Sequence, residues 1–354
     1  MAGFGGVIGV VLLAVGTVCL NSGCSTLGYY AQSVGGHLAI VRAAKPVPEW
    51  LADANTGDAL KARLELSQRI RDFATRELKE PDNASYRRYA DLKRDAAVWN
   101  VVAAPELSLT LSTWCFPVVG CVGYRGYYTQ ADAAAFADTL RAQKLEVSVY
   151  AVPAYSTLGL LPGDAFADPL LNTFIDHPEG ELARLIFHEL AHQIAYAKGD
   201  TVFNESFATA VERIGGARWL SERASPAARE DYERHESRRQ DFRALTARYR
   251  ERFDTLYRGP ASDADKRAGK LALMAELRAD HEALKRERWG GFSGYDGWFA
   301  RANNASFGVL AAYNELVPNF ERLFEREGRD FPRFYAEVKR LAALTTPERR
   351  NALP

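Results

Sequence analysis

The chain has 354 residues, 47% hydrophobic and 25% charged, a balance that fits a folded globular protein and excludes wholesale disorder. Lys plus Arg and Asp plus Glu stand at 45 each, so no basic surplus points to nucleic acid as a partner. At this length the chain can bury one large core or two modest ones.

Val7 to Leu20 is an apolar run followed by Asn21-Ser22-Gly23-Cys24. At about 1.5 Å per residue the run falls short of a bilayer core of roughly 30 Å, which suits the apolar region of a signal peptide. Ser22-Gly23-Cys24 resembles a bacterial lipobox. That implies cleavage after Gly23, lipidation of Cys24, and a lipid-anchored, periplasm-facing place in the bacterial cell envelope, with Ser25 hinting at the outer membrane. An uncleaved membrane anchor is the alternative. Residues 24–55, with Gly35-Gly36 and Pro46-Val47-Pro48, read as an exposed, lipidated tether. Cys115 and Cys121 bracket a Pro/Gly turn and are expected to form a disulfide in an oxidising envelope, a pair of buried thiols being the other reading.

Leu60, Leu64, Phe73 and Leu78 form an apolar stripe that predicts a helix over 59–78, and a second helix is expected from Ala84 to about Trp99. Residues 107–113 alternate with period two, Tyr124 to Tyr128 is aromatic-rich, and Glu146 to Val152 is β-prone. A helix over 132–143 lies between the last two, giving a small sheet with one helix across it. From Glu179 on, helices are expected over 179–197, 205–221, 226–257, 264–288, 300–327 and 331–343. Two long charged segments around Gly259-Pro260 suggest a long αα-hairpin acting as a solvated scaffold. His37, His235 and His281 fall in tether or charged-helix contexts and are expected in solvent.

His188-Glu189-Leu190-Ala191-His192 carries the chemistry. Histidines four residues apart on a helix project from one face, a turn apart, and can place two nitrogens about 2.0–2.1 Å from one zinc ion. Glu189 stands beside the metal, where it can take a proton from bound water and pass it to a leaving amine. Lys198-Gly199-Asp200 offers a stop and reversal, and Asn204-Glu205-Ser206-Phe207-Ala208 opens another helix. Glu205 can therefore face both histidines. A set of two His and one Glu leaves a position open for water or substrate, the mark of a catalytic zinc. One Zn2+ ion, held by His188, His192 and Glu205, is the expected cofactor.

His-Glu-Leu-Ala-His followed by Asn-Glu-Ser-Phe-Ala resembles the glutamate-zincin (gluzincin) pattern. More closely, the chain is similar to a family of bacterial lipoproteins described as putative aminopeptidases. The likeness runs through residues 23–32, Tyr124-Arg125-Gly126-Tyr127, residues 154–159, the zinc motif and Asn303-Asn304-Ala305. The resemblance implies an aminopeptidase cutting peptides with a metal-activated water and Glu189 as general base. It also implies a zincin-like α+β fold, mostly helical, with a small sheet before the motif helix. Tyr313 is the first choice for stabilising the oxyanion, and Tyr155 the second choice and a substrate contact. Glu212, seven residues past Glu205, could read the substrate's α-ammonium or could instead support a zinc-ligating histidine. The expected division is a signal peptide over 1–23, the tether over 24–55 and one catalytic domain over 56–354. Within that domain, residues 56–178 hold helices plus sheet and residues 179–354 the active-site and scaffold helices. An envelope endopeptidase, another zinc amidohydrolase and a non-catalytic scaffold retaining zinc are the rival readings.

Overall fold

A computed structural model describes residues 24–116, 120–154, 164 and 167–354. The signal-peptide reading of residues 1–23 and the Tyr155 assignment therefore lie outside the described residues. The chain enters through α1 (Cys24–Ala43), a two-residue β1 (Lys45–Pro46) and α2 (Val47–Ala52). The segment expected as an exposed tether is thus largely helical. Its Leu38-Ala39-Ile40-Val41 run carries apolar side chains that can be hidden from water, and Ile40, Ala44 and Val47 are buried in the main core.

Next comes α3 (Asp58–Arg76), which buries Leu64, Ile70, Phe73 and Ala74 along the predicted stripe. The helix expected over 84–99 does not form. Tyr86 and Lys93 take left-handed φ values of 62° and 53°, and Asp91 Oδ1 accepts from Lys93 N at 3.0 Å, a local turn that competes with helix. Strands β2 (Arg88–Ala90) and β3 (Val98–Pro105) occupy this stretch instead. The alternating residues 107–113 are not a strand either; Leu109 is buried against the long C-terminal helices without a ladder of its own.

β4 (Trp114–Phe116) and β5 (Gly120–Val122) pair with each other, with Cys115 disulfide-bonded to Cys121. β6 (Arg125–Tyr127), α4 (Gln130–Ala142), β7 (Leu145–Val152) and β8 (Leu170–Leu171) complete the sheet region. A three-stranded sheet in the order β6-β3-β7 is antiparallel throughout, with β3 in its centre. Three short strands, β1-β2-β8, form a second small sheet.

The remainder is helical. It comprises α5 (Glu179–Ala191), α6 (Thr201–Glu222), α7 (Pro226–Arg258), α8 (Asp263–Glu287), α9 (Asp296–Arg301), α10 (Asn304–Asn314), α11 (Val317–Arg326), α12 (Phe331–Ala342) and α13 (Thr346–Ala352). α7 and α8 lie side by side, joined by ion pairs such as Arg252–Glu276 at 2.6 Å. His281, expected in solvent, is instead 3% exposed and stacks on Phe299 at 4.0 Å, because its side of α8 faces the aromatic core of this layer. No helix among the described residues is long and apolar enough to cross a membrane.

Three packing layers fix where α5 sits. The central sheet packs one face on α4 through Val101, Ala103, Ala133 and Leu140, and the other on α10 through Val102, Ala104 and Ala305. The main core joins α3, α5, α6, α11 and α12, with Phe187, Phe203, Phe207, Phe320 and Phe334 fully buried. α5 is therefore buried along most of its length, with Leu182, Ile186, Phe187 and Leu190 in the main core and a polar stripe through Glu181, Arg184, His188 and Glu189 beside it.

Candidate metal centre

Helix α5 starts at Pro178 with Glu179 and Glu181 in its first turn, where carboxylates suit the positive end of the helix dipole. It ends sooner than the expected residue 197: His192 is the C-terminal cap, its N–H reaching His188 O at 3.4 Å. Gly199 then takes φ +78°, a left-handed turn position that suits glycine. A Cβ on neighbouring Gly120 would stand 2.8 Å from Gly199 N, so the start of β5 lies close against this turn.

The next helix, α6, is capped by Asp200, whose side chain accepts from Phe203 N at 3.0 Å. Asp200 is also held by Arg349 and, at 2.8 Å, by Arg350 of the C-terminal helix α13. Asn204 clamps the reversal at two points: its Oδ1 accepts from Ala197 N at 2.7 Å, and its Nδ2 donates to Ala197 O at 2.9 Å. This clamp fixes the first turn of α6 against the segment that follows α5 and aims the adjacent Glu205 at the histidines. The sequence reading used Asn204 as part of a motif and missed this role.

His188 Nε2, His192 Nε2 and Glu205 Oε2 form a small triangle. The nitrogens are 3.2 Å apart, and Glu205 Oε2 lies 3.4 Å from His188 and 3.6 Å from His192. Donors about 2.0–2.1 Å from one tetrahedral zinc lie about 3.3–3.4 Å from each other, so this set fits that ion. All three residues are 8% exposed, and Glu205 Oε2 is buried without a hydrogen-bond partner, a cost that a cation would remove. This is the most buried of the groups among the described residues that could hold a metal.

Electrostatics follow the same pattern. Burial pushes the Glu205 carboxyl up, but the two histidines more than offset it and hold it at about 2. Burial pushes His188 down, while Glu205 and Glu212 outweigh it and hold the imidazole well above its ordinary value. A bound cation would take the place of the proton these carboxylates draw to the ring. Glu189 is raised by burial, against the opposing pull of both histidines, which suits a group that must both take and release a proton.

Glu212 does not stand free to meet a substrate. Its Oε2 lies 2.9 Å from His188 Nδ1, and its Oε1 is held by the Arg184 guanidinium, which is itself nearly fully buried. Burial raises the Glu212 carboxyl, and Arg184 with His188 more than offset this to hold it at about 2. Of the two roles considered for it, this arrangement favours the support of His188 over the substrate contact. Arg184 donates in turn to Glu236 at 3.0 Å, extending the chain into α7.

A cavity of about 270 Å³ opens over the triangle, with Glu189 and Tyr313 in its wall. Tyr313 stacks along His188 with ring centroids 6.2 Å apart. Burial and then the Glu205 charge push its phenol well up, so it stays protonated and able to donate. Tyr124, Tyr150 and Tyr196 also feel Glu205, the last two pushed up to about 12, with burial the first cause in each. Sequence reasoning noted Tyr124 within a motif but gave none of these three a role in the site; among sixteen tyrosines, only the fold brings them there. Helix α1 supplies another wall through Tyr29 and Ser33, docked by Gln32, which donates to Gly126 O at 3.3 Å and accepts from Tyr128 N at 3.2 Å.

The sequence profile of the family described as Putative aminopeptidase matches residues 28–353, nearly the whole chain. No curated protein and no solved structure matches it.

Proposed function

The chain belongs to the Putative aminopeptidase family, whose name suggests a peptidase, and on that footing we propose zinc-dependent hydrolysis of peptide bonds next to a free amino terminus. The donor triangle of His188, His192 and Glu205 is the observation that carries the zinc reading. A zinc ion held there supplies Lewis acidity, making water more acidic and drawing electron density from a carbonyl oxygen.

The protein's own groups do the rest. Glu189 takes a proton from the water as its oxygen bonds to the scissile carbonyl carbon. It returns that proton to the amine nitrogen as the C–N bond breaks. Tyr313 donates its phenolic O–H to the oxygen on which negative charge develops. Glu212 keeps the Nδ1 proton of His188 in place so that Nε2 faces the ion. The outer edge of β7, which carries no further strand among the described residues and ends at Val152 beside Glu189, supports binding of the peptide backbone as an added strand. A lipid on Cys24, in the Ser-Gly-Cys sequence, would hold this activity at the envelope membrane.

A second reading, an endopeptidase, gains support from the position of Glu212: with both oxygens engaged, it is not available to read an ammonium. Both readings meet in one experiment. Wild type and Glu189→Gln, each with measured zinc content, are given matched free and N-acetylated peptides. The aminopeptidase reading expects only the free peptides to be cut. It also expects Glu189→Gln to keep its zinc while losing roughly 10²–10⁴-fold in rate. Equal cutting of acetylated peptides selects the endopeptidase, and undiminished turnover by Glu189→Gln refutes the mechanism.

A further inference from the structure

A second chamber, of about 340 Å³, opens from the same reaction point with different chemistry in its walls. The two chambers share Val152, Ala154, His188, Glu189 and Tyr313, so a peptide crossing Glu189 extends from one into the other. Among the described lining residues of the first, Glu189 and Glu205 are the sole acids and there is no Lys or Arg. The second carries Arg184, Arg239 and Arg243, with Glu181 and Glu212.

The carboxylates there are already held. Glu212 is bound by Arg184 and His188, and Glu181 by Arg239. Glu236, behind them, takes Arg184 at 3.0 Å and Arg239 at 3.2 Å. Arg243 is left with little. Of its five N–H donors, one makes a hydrogen bond among the described residues, a long 3.4 Å contact from Nη1 to the shared Glu236. Burial and then the like charge of Arg213 hold its guanidinium below the ordinary value, with Glu236 only partly opposing them.

We infer that Arg243 receives a substrate carboxylate in this second chamber, either an acidic side chain or the free C-terminal group, and so sets specificity beside the cleaved bond. Away from Glu189 at the junction, a cationic group would find no free acid there, whereas a planar carboxylate can take the two-pronged contact that Arg243 still offers. The inference rests on the peptidase reading of the same cleft.

The test uses the zinc-loaded full chain and peptides matched in pairs: Glu against Gln at each position flanking the cut, and free C-terminal acid against amide. Each pair is measured as kcat/KM on wild type, Arg243→Gln and Arg243→Lys, and as a Kd by calorimetry on Glu189→Gln with and without the Arg243 change. Wild type is expected to favour one carboxylate-bearing partner roughly ten- to a hundredfold. Arg243→Gln levels that pair chiefly through KM, and Arg243→Lys keeps part of the preference. Which pair responds identifies the source of the carboxylate. A merely structural Arg243 would lower acid and amide alike, and that result overturns the assignment, as does a wild type without preference. Selective binding without cleavage leaves Arg243 assigned and refutes the hydrolytic reading; neither cleavage nor selective binding refutes both.

Discussion

Replacing Glu212 by Gln separates the support of His188 from the chemistry at Glu189. Glu212 Oε2 meets His188 Nδ1 at 2.9 Å, and its other oxygen is held by an Arg184 side chain only 4% exposed. Glutamine keeps the shape but loses the charge. The contact to His188 then drops from a charge-assisted to a neutral hydrogen bond, a difference of about 1 kcal/mol, and the imidazole becomes a poorer ligand. Arg184 keeps Glu236 but is left short of one buried anion, which costs on the order of 2 kcal/mol of stability. Zinc affinity is expected to fall roughly 10–100-fold, about 1.4–2.7 kcal/mol, read by competition against a chromophoric chelator. Urea unfolding of the zinc-free protein should show the stability loss independently. Turnover per bound zinc should fall far less than in Glu189→Gln. A zinc Kd within twofold of wild type would refute the support role.

Asn204→Ala removes both bonds to Ala197 and leaves a buried N–H and C=O unpaired; a loss of roughly 2–4 kcal/mol in urea unfolding and weaker zinc binding are expected. The zinc-free protein should also lose stability in acid. Glu205 and Glu212 lie at about 2 in the folded chain against an ordinary 4.5, so they favour the fold above about pH 4.5 and that contribution is lost as pH falls toward 2. Urea midpoints over this window should fall steeply in wild type and much less in a Glu205→Gln, Glu212→Gln double variant.

The parts of the site that could be read from sequence are those set by short-range geometry. A four-residue spacing on a helix fixes His188 and His192 to one face whatever surrounds them, and a glycine at a helix end marks the reversal that brings Glu205 back. A further regularity was present: Arg184 and His188 are four apart on α5, and Glu205 and Glu212 seven apart on α6. Two facing pairs at those spacings interlock as metal ligands in front and a charge pair behind. The misplaced elements depended on distant partners. Strand β2 pairs with β1 and with β8, some eighty residues later, so local composition favoured a helix that tertiary pairing overrode. Likewise, the segment over 24–55 looked like a tether because nothing in it reveals that β6 would receive Gln32.

Building this site places polar groups where the rest of the core is apolar, and that has a thermodynamic consequence. Glu205 Oε2 and His192 Nδ1 are buried without hydrogen-bond partners, at the facing ends of two helices packed by Phe187, Phe203 and Phe207. The unfolded chain hydrates these groups and has no assembled triangle, so an ion that binds the folded state alone must stabilise it. At free zinc 100-fold above Kd the gain is about 2.7 kcal/mol, which for a chain of this length raises Tm by roughly 3–5 °C. Scanning calorimetry with zinc, with magnesium and after chelation reads this directly, and Glu205→Ala supplies the control. Zinc should raise Tm in wild type and not in Glu205→Ala, and magnesium, which prefers octahedral oxygen ligands, should do neither. A zinc-dependent shift that survives Glu205→Ala would move the ion to other residues and take the water-activating role of Glu189 with it.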